Sequence, residues 1–347
     1  MTKIAITGDI HAHTFGGPYS RLVQDYKGRT INSRLKCTLD ALDWLVEDAT
    51  KRKVEHIIIA GDLFHDRRAL TIPVVAEIAS VINSIAMLFD TYLLVGNHDM
   101  SPTGDGATSL EMFASNCRVI RGPCIADVGN ASVCFIPYTE DPGVVARVVE
   151  LATKAQPVAF AVGHLGVVGG KVGPSNIEIP GTIPLEALQP FIDCRTPVYL
   201  AHYHKPQQVV PGVDYVGSLL QINFGEAGED KRYIVVDTDN PRKFTSVPND
   251  VSPRFVRVTT GSEKFTEDDY VHAVVESPEA AKKVRDRNPR AVVEVADKED
   301  EVAERIKLSG LSADDMIRRY VKQFAPPSGV SRKRAVQHGL RLLRKVM

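Results

Sequence analysis

The sequence predicts an α/β fold whose strands are buried on both faces, and three observations predict it. In the first two thirds of the chain, short apolar runs alternate with stretches of helical spacing. Those runs are almost continuously apolar, as strands covered on both sides are. Five of them stop at a polar cluster of Asp, Asn or His, usually just after a glycine. In α/β sheets ligands gather outside the carboxyl ends of strands, so parallel strands would bring these five ends to one edge.

Residues 4–7 are the first run, ending at Gly8-Asp9. Leu35, Leu39, Leu42, Leu45 and Ala49 then recur at helical spacing. Residues 56–60 form the second run, ending at Gly61-Asp62, and a helix is predicted over 74–88. The third, 92–95, ends at Gly96-Asn97-His98-Asp99. The fourth, 158–162, ends at Gly163-His164, and the fifth, 198–200, at Ala201-His202-Tyr203-His204. Residues 133–136, 215–216 and 233–236 also read as strands.

A boundary is expected in the Pro/Asn/Asp-rich segment 249–253. Residues 254–295 read as strand, helix (278–288) and strand (291–295), a small α+β module. The end reads as two helices. Ser312 is the expected N-cap of the first, with Asp314 and Asp315 in its first turn and Ile317, Tyr320, Val321 and Phe324 on one face. Residues 325–329 break it, and a second helix from Ser331 carries Val336, Leu340, Leu343 and Val346. The expected division is 1–248, 249–305 and 306–347.

A chain of 347 residues with 44% hydrophobic and 24% charged residues is ordinary for a globular protein of more than one domain. No apolar run approaches a membrane span, and residues 1–7 lack a secretory pattern, so a cytoplasmic protein is expected. The five cysteines (37, 117, 124, 134 and 194) are odd in number and include no C-x-x-C pair, which argues against a disulfide framework or a thiolate zinc site. The formal net charge is −1, yet residues 316–347 hold nine Lys/Arg and no acid, whereas 297–304 is acidic. A neutral total can hide a basic face.

Together the clusters offer Asp9, His11, Asp62, Asn97, His164, His202 and His204: carboxylates, an amide oxygen and imidazoles, with no thiolate. That mixture suits manganese, iron or zinc better than the all-oxygen sites of magnesium or calcium. Asp62 is the natural bridge between two ions, because a carboxylate can donate to both. Two ions about 3.5–4 Å apart can clamp a phosphoryl group and activate a water. His98, beside Asn97, is the candidate for stabilising charge or protonating the leaving oxygen, with Asp99 expected to hold its tautomer.

This ordered set resembles the calcineurin-like metallophosphoesterases, and within them the SbcD-type nuclease subunits of DNA double-strand-break repair. Gly61-Asp62-Leu63-Phe64-His65 is similar to that group's second motif, and His202-Tyr203-His204-Lys205-Pro206-Gln207 to its last. Tyr215-Val216-Gly217-Ser218, followed by Asn223-Phe224-Gly225-Glu226, resembles the segment after it. Ala201 departs from the glycine usual before H-x-H. The resemblance implies a layered β-sandwich flanked by helices, with a small capping module and C-terminal helices. It implies one ion on Asp9, His11, Asp62 and His204, and another on Asp62, Asn97, His164 and His202. His98 would be the transition-state histidine, and His65 would assist the exonuclease reaction. It further implies manganese, DNA as substrate, a homodimer and an SbcC-type coiled-coil ABC ATPase as partner. A small-molecule or protein phosphatase, or a cyclic-nucleotide phosphodiesterase, on the same metal core is the rival reading. A non-catalytic scaffold is a further one.

Overall fold

The computed structural model describes residues 2–155, 157–173, 175–179, 181–260, 263–296, 313–323 and 331–346. The expected cap at Ser312, Phe324, the break at 325–329 and the acidic stretch 297–304 lie outside these residues, as do the side chains of Leu343 and Val346.

Two six-stranded mixed sheets pack face to face. The first runs in the order Phe244–Pro248, Arg232–Asp237, Lys3–Thr7, His56–Ile59, Asp90–Leu94, Arg118–Ile120. Its last four strands are parallel to one another. The second runs Gln207–Val210, Val213–Tyr215, Val198–Ala201, Phe160–His164, Ala131–Ile136, Cys124–Val128, with its middle four parallel.

The period-two alternation of strand side chains explains why the runs are apolar throughout. Ile4 and Ile6 enter the core between the sheets with Ile58, Leu94, Phe135 and Val162. Ala5, Ile57 and Ile59 face the other way, into a core shared with two helices. Helix Ser33–Lys51 starts where the Asn32 side chain accepts from Arg34 N (2.9 Å) and Leu35 N (3.2 Å). It buries Leu35, Leu42, Leu45 and Ala49. Helix Ile72–Leu88 has proline in its first turn and buries Val74, Ile78, Ile82 and Ile85. Helix Pro142–Glu150 covers the outer face of the second sheet with Val145, Val148 and Val149. The result is a helix–sheet–sheet–helix sandwich.

This is the layered sandwich flanked by helices that the family resemblance implies, and the strand ends converge from two sheets instead of along one edge. Three of the five belong to the first sheet and two to the second. The polar clusters meet where the two sheets' carboxyl edges come together. No helix among the described residues is long and apolar enough to cross a membrane.

A third, all-parallel sheet joins Phe255–Val258, Tyr270–Val275 and Val292–Val295. With helix Pro278–Arg287 it encloses its own core around Val258, Val271, Ala273 and Val284. The middle strand was absent from the sequence reading. Arg34 of the first module is buried against this one. Its guanidinium carbon lies 4.6 Å from the Phe15 ring centroid and 4.8 Å from those of Phe255 and Tyr270. Its Nη2 donates to Ile222 O (2.7 Å). Helices Ala313–Gln323 and Arg332–Val346 pack on each other, Gly339 beside Ile317.

Candidate metal centre

The loop after the first strand and the loop after His56–Ile59 run side by side. Asp9 N donates to Gly61 O (3.0 Å), His11 N to Asp62 O (2.9 Å) and Ala12 N to Leu63 O (2.9 Å). To fit, Asp9, His11 and Asp62 adopt φ of 50°, 47° and 54°. His202, after the fifth run, has φ 97°. Four of the seven candidate ligands thus sit in the left-handed region, which costs about 1–3 kcal/mol per residue and tends to mark functional sites.

Two glycines permit the closeness. A Cβ on Gly61 would lie 2.2 Å from His164 Nδ1, and one on Gly96 would lie 2.3 Å from Asp62 Oδ1. At Gly61 and Gly96 the glycine before the ligand is a packing requirement.

All seven predicted ligands come together. Asp62 Oδ2 lies 3.4 Å from His11 Nε2 and 3.5 Å from His164 Nε2, between the two expected ion sites. Asn97 Oδ1 lies 3.0 Å from both His164 Nε2 and His202 Nδ1. His11 Nε2 and His204 Nε2 face each other at 3.1 Å. Asp9 accepts the His202 backbone N–H at 3.1 Å on each oxygen. Asp9, His11 and His204 form one group that could hold a metal, Asp9, Asp62 and His164 another, and His11, His65 and His98 a third at the rim.

Backbone and carboxylate acceptors fix the ring protons. His164 donates from Nδ1 to Ala60 O (2.8 Å), leaving Nε2 for the cluster. His204 donates from Nδ1 to Glu226 Oε1 (2.8 Å). Burial and the neighbouring His204 hold His11 well below the usual imidazole range. Burial and His164 press His202 down to about 3. His11 and His202 are thus neutral and present the lone pairs a cation needs. Burial would lower His164 and His204 too, but Asp62 raises the first to about 9 and Glu226 raises the second. Burial alone would raise the Asp62 carboxyl, but His164 and His11 outweigh it and hold it far below the usual range. A buried set of imidazoles, carboxylates and one amide oxygen, with several lone pairs aimed into a shared space, fits a pair of divalent cations.

His98 and His65 lie at the rim. Their rings stack at 5.5 Å with an interplanar angle of 20°. His98 N donates to Asp62 Oδ1 (2.7 Å), and its Nδ1 donates to the backbone oxygen of His65 (2.6 Å). The expected role of Asp99 is corrected here. It does not set the His98 tautomer; the His65 carbonyl does. The buried Asp99 carboxylate accepts instead from four backbone N–H groups: Asp62 (2.8 Å), Leu63 (3.0 Å), Phe64 (3.4 Å) and Gly96 (3.0 Å). It ties the Asp62 loop to the Asn97 loop. Burial and the charge of Asp62 push it up to about 7 against the pull of those donors.

The sequence reading gave no role to Glu226, Lys231 or Tyr138. Tyr138, whose ring centroid lies 5.6 Å from that of His202, donates to Glu140 Oε1 (2.5 Å). Glu226 comes from a turn 22 residues beyond His204, where no spacing rule points to it.

The sandwich and its cluster define a metallophosphoesterase. Residues 2–171 match the family described as calcineurin-like phosphoesterase, so the chain carries a calcineurin-like phosphoesterase domain and is a metal-dependent hydrolase of that class. Among curated proteins it is similar to the DNA double-strand break repair protein Mre11 of Haloferax volcanii, 29% identical over 129 residues. That match covers 35% of this chain and only 25% of the relative's length. Among solved structures it is similar to a purple acid phosphatase from yellow lupin (13% identity, TM-score 0.43, 71% of this chain and 53% of that one). It is also similar to a dimetal phosphatase from Danio rerio (10% identity, TM-score 0.42, 67% and 91%).

Proposed function

We propose that this chain is a manganese-dependent DNA exonuclease and endonuclease subunit, acting in the cytoplasm as a homodimer with an SbcC-type ABC ATPase in DNA end processing. The observation that carries the phosphoesterase part is the Asp62 oxygen placed within 3.5 Å of both His11 and His164. The DNA part is supported by the local likeness to a break-repair protein and by the G-D-L-F-H and H-K-P-Q segments.

In this reading Asp9, His11, Asp62 and His204 hold one cation, and Asp62, Asn97, His164 and His202 the other. When bound, such a pair supplies Lewis acidity and a water activated near neutral pH. The chain's own residues do the rest. The His65 carbonyl keeps the His98 proton on Nδ1, so Nε2 is the nitrogen that carries a second proton to the leaving oxygen. The His65 ring, stacked on His98, limits its rotation and borders the path of the DNA end. Asp99 keeps the bridging and amide ligands in register. The module 249–305 caps the DNA, and the basic helices after it dock the ATPase.

The test is cleavage of an end-labelled linear duplex by the purified chain with manganese, magnesium or chelator. Manganese-dependent degradation is expected. Hydrolysis of a small phosphodiester with no action on DNA would retire DNA as the substrate and favour the phosphatase reading.

A further inference from the structure

Behind His204 lies a buried ionic cluster that the hydrolytic scheme above does not use. Lys231 is 4% exposed, and Glu226 and Glu229 are 7% exposed each. Lys231 Nζ lies 2.9 Å from Glu226 Oε2 and 2.9 Å from Glu229 Oε2, and it also donates to the His204 backbone oxygen (3.0 Å). Glu226 Oε2 accepts from Ile222 N (3.0 Å), while Oε1 accepts from His204 Nδ1 (2.8 Å). A buried ion pair is sustained only when its remaining hydrogen-bonding capacity is met, and here it is met on every side of Glu226.

An ionised carboxylate can only accept. The neutral His204 ring therefore carries its proton on Nδ1, with its Nε2 lone pair facing His11 Nε2. We propose that Glu226, locked in place by Lys231, is a positioning residue that sets the tautomer and orientation of His204 for one of the two cations. Two other rings here are held by neutral acceptors: His164 by Ala60 O and His98 by His65 O. A carboxylate does more than a carbonyl. It raises the basicity of the imidazole and adds negative charge just outside a ligand set holding only Asp9 and Asp62. Lys231 fixes the same ligand twice, through its backbone oxygen and, by way of Glu226, through its ring.

The inference rests on the two-cation reading, and its test keeps the two apart. Manganese chloride is titrated calorimetrically into the metal-free full chain, with thermal unfolding in chelator as a check on folding. The wild-type chain is expected to take up two ions. Glu226→Gln keeps an acceptor oxygen but loses the charge, and should weaken one of the two ions by about 10–100-fold. Glu226→Ala should weaken it further, and saturating manganese should restore much of the turnover of Glu226→Gln. Wild-type affinity for both ions in both variants would overturn the proposal. Were both variants unable to fold, long-range proton–nitrogen NMR on the zinc-loaded wild-type chain reads the tautomer directly. A proton on Nδ1 of His204 is expected, and one on Nε2 overturns the proposal. A wild-type chain that binds no cation would overturn the two-cation reading and this inference with it.

Discussion

Ala201 fits beneath the candidate metal centre because the residue facing it is Gly8: a Cβ on Gly8 would lie 2.8 Å from the Ala201 Cβ. Gly8 follows strand Lys3–Thr7 of the first sheet and Ala201 ends strand Val198–Ala201 of the second, so this contact limits how closely the sheets approach at their carboxyl edges. The alanine that departs from the H-x-H motif is thus tolerated through a glycine elsewhere. Gly8→Ala should destabilise the chain by about 1–3 kcal/mol, as overpacked cores do, and weaken cation binding. Ala201→Gly alone should cost less than about 1 kcal/mol. The double variant should regain most of what Gly8→Ala loses. Urea unfolding of the four proteins measures this, and a Gly8→Ala variant as stable as wild type would remove the contact from the account.

Asp99→Asn should be costly for a reason unrelated to His98. Four N–H groups converge on the Asp99 carboxylate. An asparagine offers them one oxygen and turns an NH2 toward the rest. Leaving buried donors unsatisfied costs about 1–3 kcal/mol. The expected result is lower stability together with weaker cation binding, because the Asp62 and Asn97 loops lose their tie. Unchanged stability with only turnover lost would restore the role first expected for Asp99.

The parts of the site legible in the sequence share one property: each closes an apolar run. Asp9, Asp62, Asn97, His164 and His202 could be grouped because strand ends in such sheets converge. The sequence could not show that the runs divide between two sheets, since a strand buried on both faces reads alike in either. It could not show what Asp99 binds, because its partners are backbone N–H groups brought close by the left-handed Asp62 and the unhindered Gly96. Glu226 stands in the quoted Asn223-Phe224-Gly225-Glu226 segment, but its contact with His204 was hidden for a similar reason. It reaches His204 through the fold, and neither helical nor strand periodicity connects them. Strand Tyr270–Val275 breaks the expected strand–helix–strand pattern of 254–295, lying as a middle strand directly before helix Pro278–Arg287.

His98→Ala should retain both cations and lose about 10²–10⁴ in turnover, since its ring is outside the candidate ligand set. His65→Ala makes the informative contrast. The variant keeps the backbone oxygen that fixes His98, so it should retain far more activity than His98→Ala on a small phosphodiester. On duplex ends its loss should be larger. Calorimetric cation titration beside kcat on both substrates checks the pair. Loss of a cation in His98→Ala would show the ligand set to be mistaken.

The third sheet carries its own dependence on pH through Asp269. Burial would raise this carboxyl, but hydrogen bonds from the Arg254 side chain and backbone and from Thr266 N outweigh it and hold it below the usual carboxylate range. A depressed carboxyl contributes stability above its unfolded value, about 3.9, and loses it as pH falls through the lower folded value. Asp269→Asn should therefore destabilise this module near pH 7 by about 1–3 kcal/mol, the cost of buried donors left unmatched. The gap between variant and wild type should narrow as pH falls from about 3.9 toward the lower folded value, because the unfolded chain then takes up a proton that the folded carboxylate still excludes. Hydrogen exchange of peptides from 255–295, followed through urea unfolding at pH 7, 5 and 3.5, resolves the module from the rest of the chain. A gap that stays constant across these pH values would mean that the charge of Asp269 does not stabilise the module and that only its shape matters.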